Sequence, residues 1–371
     1  MSKGFFLKQV CCAAILLCVL FTGCAISDGP VDPAPEDKID RLIAGMSTAE
    51  KVGQLLMIGI RGKAVDESSL FMLHQYHIGG VVLFDRNLET AEQVAKLTAG
   101  LQHRSEQAVP LFIAIDEEGG MVARMRHIVT PPPGAAEIGE SGEPEQAFRW
   151  AERTAMVLKK LGINQNFAPV ADLGSLEGRH YSADVGKVTE FVRAAAGGYE
   201  KVGLGFSLKH FPGLGKGKTD THLDTVTITA SKEQLLKEDI VPFAALIKEK
   251  PAEKFMIMVS HATYPLLDGE TPASLSPAII TGLLREKLGW QGVVVTDDME
   301  MGAVTEKYPF RELGVRAVLA GADLVLVCQE YSSEQEVYLG LLEAVEKGVI
   351  SKKRLDESVR RVLRHKLSCC H

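Results

Sequence analysis

Residues 207–222 read SLKHFPGLGKGKTDTH. The run opens as a short apolar strand, reaches Lys209 and His210, and breaks through Pro212, Gly213, Gly215 and Gly217 into a polar loop carrying Asp220 and His222. Two cations at a strand end are poor packing material, whereas binding and catalytic groups sit on such loops, held by a rigid scaffold. Helical patterns flank the run at 188–202 and 232–248, which makes it one strand–loop–helix unit.

The same grammar recurs along the chain. Apolar strand patterns lie at 55–60, 80–84, 111–116, 164–171, 206–211, 255–261, 292–297 and 323–328. Amphipathic stretches separate them at 91–102, 146–161, 277–288, 310–320 and 335–345, and a terminal helix is expected at 352–367. A further helix at 35–46 precedes Ser47-Thr48-Ala49-Glu50, a capping box opening a second one. Strands that are continuously apolar suit a parallel sheet covered on both faces. Eight such units predict an α/β fold, a (β/α)8 TIM-type barrel forming a single catalytic domain. A doubly wound sheet with a split domain is the alternative architecture.

In such a barrel the active site lies at the C-terminal ends of the strands. The polar residues fall there: Asp116 ends the third run, Asp172 follows the fourth, Lys209 and His210 end the fifth, His261 the sixth and Asp297 the seventh. In Asp220-Thr221-His222 the carboxylate can reach the imidazole, fix its tautomer and raise its pKa; a turn with a solvated histidine reads the triplet equally well. Asp297 is delivered by three valines in VVVTDDMEM, with Asp298 as its structural partner. Asp220, His222 and Asp224 alternate as metal ligands would, but no cysteine joins them and Lys216 and Lys218 repel a cation, so no metal and no cofactor are expected.

The string KHFPGLG, four residues, then Asp-Thr-His resembles the signature of glycoside hydrolase family 3, in its β-N-acetylglucosaminidase branch. The resemblance extends over residues 45–330 through IDEEGGMVAR at 115–124, NFAPVAD at 166–172, GRHYS at 178–182 and QGVVVTDDMEMGA at 291–303. It implies Asp297 as nucleophile, His222 with Asp220 as acid/base, and Asp116, Arg124, Arg179, Lys209 and His210 as sugar-binding residues. Departures from the pattern are Glu117 for glutamine, Met121 for arginine, and Leu214 where many members carry histidine. The implied function is a retaining exo-β-N-acetylglucosaminidase acting on muropeptides from peptidoglycan or on chitooligosaccharides. A phosphorylase, a broad-specificity β-glycosidase and an inactive sugar-binding lipoprotein are the alternatives.

Composition bounds the rest. With 46% hydrophobic and 24% charged residues in 371, the chain has an ample core. In residues 1–23, Lys3 and Lys8 precede an apolar run too short to span a bilayer comfortably, the pattern of a signal peptide. It ends LFTGC, which resembles a bacterial lipobox and implies lipidation of Cys24. Residues 24–36 then form a flexible tether and 37–371 the catalytic domain. Membrane attachment through that lipid, a position in the bacterial cell envelope on the non-cytoplasmic side, and a monomeric state are the corresponding expectations. Removing the leader leaves 39 basic against 48 acidic side chains, a formal charge of −9 that argues against nucleic acid as a partner. Cys328, Cys369 and Cys370 remain, too few for a disulfide framework.

Overall fold

The computed structural model describes residues 35–174, 178–215 and 226–370. Eight parallel strands close into a barrel: β1 Leu56–Gly59, β2 Gly80–Leu83, β3 Phe112–Ile115, β4 Gln165–Asn166, β5 Gly205–Phe211, β6 Phe255–Val259, β7 Val293–Asp298 and β8 Leu324–Val327. Each pairs with its neighbours in sequence, and β1 pairs with β8 through Leu56 opposite Val325 and Ile58 opposite Val327. All eight fall where apolar runs predict them.

Side chains alternate across each strand, so continuous hydrophobicity splits into two cores. Val293, Val295, Leu324 and Leu326 point inward with Met57, Val82, Phe112, Ala114 and Met256. Val294, Val325 and Val327 point outward into the layer shared with the helices. Helix Lys352–Cys369 closes the end that the strands enter, contributing Val362 and Cys369 to the inner core. At its start the buried carboxylate Asp323 meets Arg285, Arg354 and Arg361 at 2.5, 3.5 and 3.1 Å.

Local chemistry sets the helix ends. Ser47 and Glu50 exchange both bonds of the expected capping box. Helix Phe310–Ala320 stops at Gly321, whose φ of 119° is left-handed. The expected helix at 277–288 exists as Ala278–Lys287 with a wider winding; Leu288 N–H reaches back five residues to the Leu283 carbonyl.

Two sequence expectations need correction, and one helix lies outside them. The fourth strand is two residues long, Gln165–Asn166, rather than 164–171, because Pro169 has no N–H for the ladder. The segment still follows β5, with Ala171 N–H donating to the Lys209 carbonyl at 2.7 Å. The helix expected at 232–248 divides into Lys232–Lys237 and Val241–Glu249, since Pro242 fits only a first helical turn. Helix Glu67–Tyr76, capped by Asp66 and Ser69, was not anticipated: its apolar residues Leu70, Phe71, Met72 and Leu73 run consecutively, which hides the helical period.

Candidate active site

Asp116, Arg124, Arg179, Lys209, His210 and Asp297 line one cavity of about 260 Å³ at the C-terminal end of the barrel. Sequence separations of up to 181 positions, between Asp116 and Asp297, are closed only by the barrel. Hollows of about 460 and 540 Å³ open beside Gln54 and Val109 and beside Lys254 and Gly292, residues that precede strands and therefore lie at the other end. Asp220, His222 and Asp224 fall within 216–225, and Cys24 within 1–34, outside the described residues.

The cluster is built around the end of β5, where the Lys209–His210 peptide is cis. Lys209 Nζ lies 2.6 Å from both Asp116 Oδ1 and Glu118 Oε1. Glu118 in turn accepts two bonds from Arg179, Nε to Oε2 at 2.9 Å and Nη2 to Oε1 at 2.8 Å. Burial alone would discharge Glu118 and Lys209; the attraction of their partners wins. Glu118 is held well below the usual carboxylate range because Lys209 and Arg179 outweigh its desolvation. Lys209 is raised above an ordinary lysine because Asp116 and Glu118 outweigh its own. Glu118, Lys209 and Arg179 thus stay ionised, and Asp116 completes a salt-bridged quartet with them. Arg179 and Asp116 keep side-chain exposures of 20% and 18%, against 6% for Glu118 and 3% for Lys209. The first two have free faces for a polar ligand, and the second two hold them in place.

Glu118 was not singled out by sequence, although a signal existed. Residues two apart in an extended chain share a side, so Asp116 and Glu118 face the same cation. The short hairpin carrying Glu118 turns at Gly119 and Gly120, with φ of 104° and 53°. A Cβ on Gly119 would stand 2.3 Å from the Pro133 carbonyl, so this turn requires glycine.

His210 is oriented by Asp172, whose Oδ2 lies 2.7 Å from Nδ1. The same carboxylate accepts the backbone N–H groups of His210 and, at 2.7 Å, Leu214. Asp172 is fully buried, so its role is to fix the ring with Nδ1 protonated.

The adjacent carboxyls at the end of β7 separate chemically. For Asp297 burial favours the neutral acid, but His261, His210, the Asp298 N–H and Lys209 prevail and hold it below the usual range. Asp298 is pushed up to about 7 by burial, although Glu300 N–H and Gln329 donate to it. Oδ1 of Asp298 also accepts Cys328 N–H at 3.2 Å, tying β7 to the end of β8. Environments that push neighbouring titratable groups apart assign them different tasks: Asp297 is the ionised carboxylate and Asp298 the structural partner. His261 braces this turn, with Nε2 2.9 Å from the Asp298 carbonyl and Nδ1 2.7 Å from Ser274 Oγ.

Across the cavity Arg124 lies 3.5 Å from Asp85 and over the Phe84 ring. Phe84, Phe167, Met301 and Leu326 supply apolar wall. The arrangement offers an ionised carboxylate in a partly apolar cleft together with anionic and cationic hydrogen-bonding groups, a lining suited to a polar ligand.

Comparison with known proteins agrees with this geometry. Residues 47–365 match the family model described as "Glycosyl hydrolase family 3 N terminal domain". The chain is 33% identical over 326 residues to beta-hexosaminidase A of Pseudoalteromonas piscicida, covering 80% of this chain and 54% of that protein. It is 37% identical over 287 residues to the beta-hexosaminidase of Stenotrophomonas maltophilia, covering 74% of this chain and 83% of that one. The solved glycoside hydrolase family 3 β-N-acetylglucosaminidase of Paenibacillus superposes with a TM-score of 0.84 at 37% identity, covering 87% of this chain and 63% of that structure. The chain therefore spans little more than half of the first relative and most of the second. Barrel, site and relatives define the class as the glycoside hydrolases. Within it, the chain belongs to glycosyl hydrolase family 3.

Proposed function

We propose that this protein is a retaining exo-β-N-acetylglucosaminidase, releasing terminal non-reducing N-acetylglucosamine from muropeptides or chitooligosaccharides. The observation that carries the reading is Asp297: a buried carboxylate kept ionised, sharing one cavity with Asp116, Arg124, Arg179, Lys209 and His210. The names of the hexosaminidase relatives support the acetamido sugar.

In the first step an Asp297 oxygen attacks the anomeric carbon. The glycosidic C–O bond breaks, and its electron pair stays on the leaving oxygen, which takes a proton from His222. In the second step His222, now neutral and oriented by Asp220, takes a proton from water as that water displaces Asp297. Asp116, Arg179, Lys209 and His210 bind sugar hydroxyls, and Arg124 joins them from the opposite wall. We further propose attachment to the envelope membrane through lipid on Cys24, with the barrel a monomer on the non-cytoplasmic side.

Hydrolysis of chromogenic aryl glycosides differing at carbon 2 tests the reading. The 2-acetamido substrate is expected to be preferred, and Asp297→Asn to lower its turnover by roughly a thousandfold or more. Full turnover by that variant would refute the mechanism, and absence of hydrolysis across the panel would refute the activity. Release of sugar 1-phosphate in phosphate buffer would identify a phosphorylase instead. Loss of fatty-acid labelling in Cys24→Ala tests the anchor.

A further inference from the structure

At the barrel end opposite the cavity, helix Lys352–Cys369 finishes in two adjacent thiols. Cys369 and Cys370 are both free, with Sγ atoms 3.6 Å apart. Cys369 is buried, its thiol 3.1 Å from the His365 carbonyl, while Cys370 is half-exposed. A hollow of about 330 Å³, bordered by Glu200, Lys254 and Ser368, reaches Cys369. Lys366 stands one helical turn before both cysteines, the spacing that makes side chains neighbours. Its Nζ is buried 2.7 Å from Gln54 Oε1 and lies over the Phe112 ring. Burial pulls Lys366 down to about 7 and pushes the neighbouring Cys369 thiol up, so the buried sulfur stands as an uncharged thiol. None of these groups lines the catalytic cavity.

Two soft donors side by side, one reachable and one against an apolar wall, suit a soft acceptor that needs only two sulfur ligands. Zinc prefers four ligands, and among the described residues no three His, Cys, Asp or Glu side chains are placed to hold a metal ion. We propose that Cys369 and Cys370 form a dithiol site for trivalent arsenicals, independent of the glycosidase reaction. With an arsenoxide the step balances without redox change. Two As–S bonds form, two S–H bonds and the arsenic–oxygen bond break, and the oxygen leaves as water carrying both thiol protons. Cys370 bonds first because it is accessible; Cys369 closes the ring. The product is uncharged, as a low-dielectric wall requires.

The test treats the full chain with phenylarsine oxide, removes the excess, alkylates with iodoacetamide in urea and reads each cysteine peptide by mass spectrometry. Cys369 and Cys370 are expected to lose alkylation together on the peptide 367–371, and to regain it with 2,3-dimercaptopropanol. In Cys370→Ser, with folding verified by an unchanged melting temperature, protection of Cys369 should need roughly a hundredfold more arsenical, because the second contact is no longer intramolecular. Full alkylation of both residues in the treated wild type, or equal protection of Cys369 in the variant, would overturn the proposal.

Discussion

Replacing Glu118 by glutamine isolates the charge on which the salt-bridged quartet depends. The substitution keeps volume and shape but removes the anion between Lys209 and Arg179. With side-chain exposures of 6% for Glu118 and 3% for Lys209, water screens little of the loss. Breaking a buried ion pair by removing one partner costs about 3–5 kcal/mol. Lys209 retains Asp116 at 2.6 Å, and Arg179 is partly exposed, so the lower end applies: roughly 3 kcal/mol, divided between folding and ligand binding. If half falls on the site, kcat/KM drops about tenfold, carried mainly by KM, because Glu118 holds the groups proposed to bind sugar rather than the proposed nucleophile. The acid side supplies a second reading. Glu118 is held below its ordinary pKa, so its stabilisation is complete above the unfolded value near 4.5 and is lost as pH falls toward the folded value. Urea titrations at pH 7 and pH 3.5, alongside aryl-glycoside kinetics, should show a stability difference between wild type and Glu118→Gln that shrinks in acid. Unchanged kcat/KM together with an equal stability difference at both pH values would refute the clamp.

Other expectations follow from the same geometry. Asp298→Asn should flatten the fall of melting temperature between pH 5 and 8: the buried carboxyl is pushed up to about 7, the folded state binds the extra proton, and stability declines as pH rises from the unfolded value through 7. A wild-type slope in the variant would contradict that. Asp323→Asn strands three arginines and should lower unfolding stability by about 3–5 kcal/mol in urea while leaving KM of the remaining folded enzyme unchanged; a loss under about 1 kcal/mol would mean the arginines find other partners. Asp172→Asn removes the acceptor that fixes His210 and should raise KM, with chemical-shift evidence of a changed His210 tautomer; an unchanged imidazole spectrum would show that packing alone orients the ring.

The composition of the strands and the positions of their polar ends are written in the linear chain. Apolar runs of five to eight residues, each emptying into a polar loop, suit a barrel or a doubly wound sheet, and all eight appear in the closed barrel. Asp116, Lys209, His210 and Asp297 were legible because a cation or carboxylate after a run of valine, leucine or isoleucine has no packing purpose. Where proline interrupts, at Pro169 and Pro242, local pattern overstated continuity, since hydrophobicity does not register a missing N–H. Only the closed barrel decided partnership. Coulomb attraction and desolvation depend on distance and burial, which the chain order does not carry. That is why Glu118 emerged as the bridge between Lys209 and Arg179, and why two consecutive aspartates, alike in sequence, became an ionised Asp297 and a proton-holding Asp298.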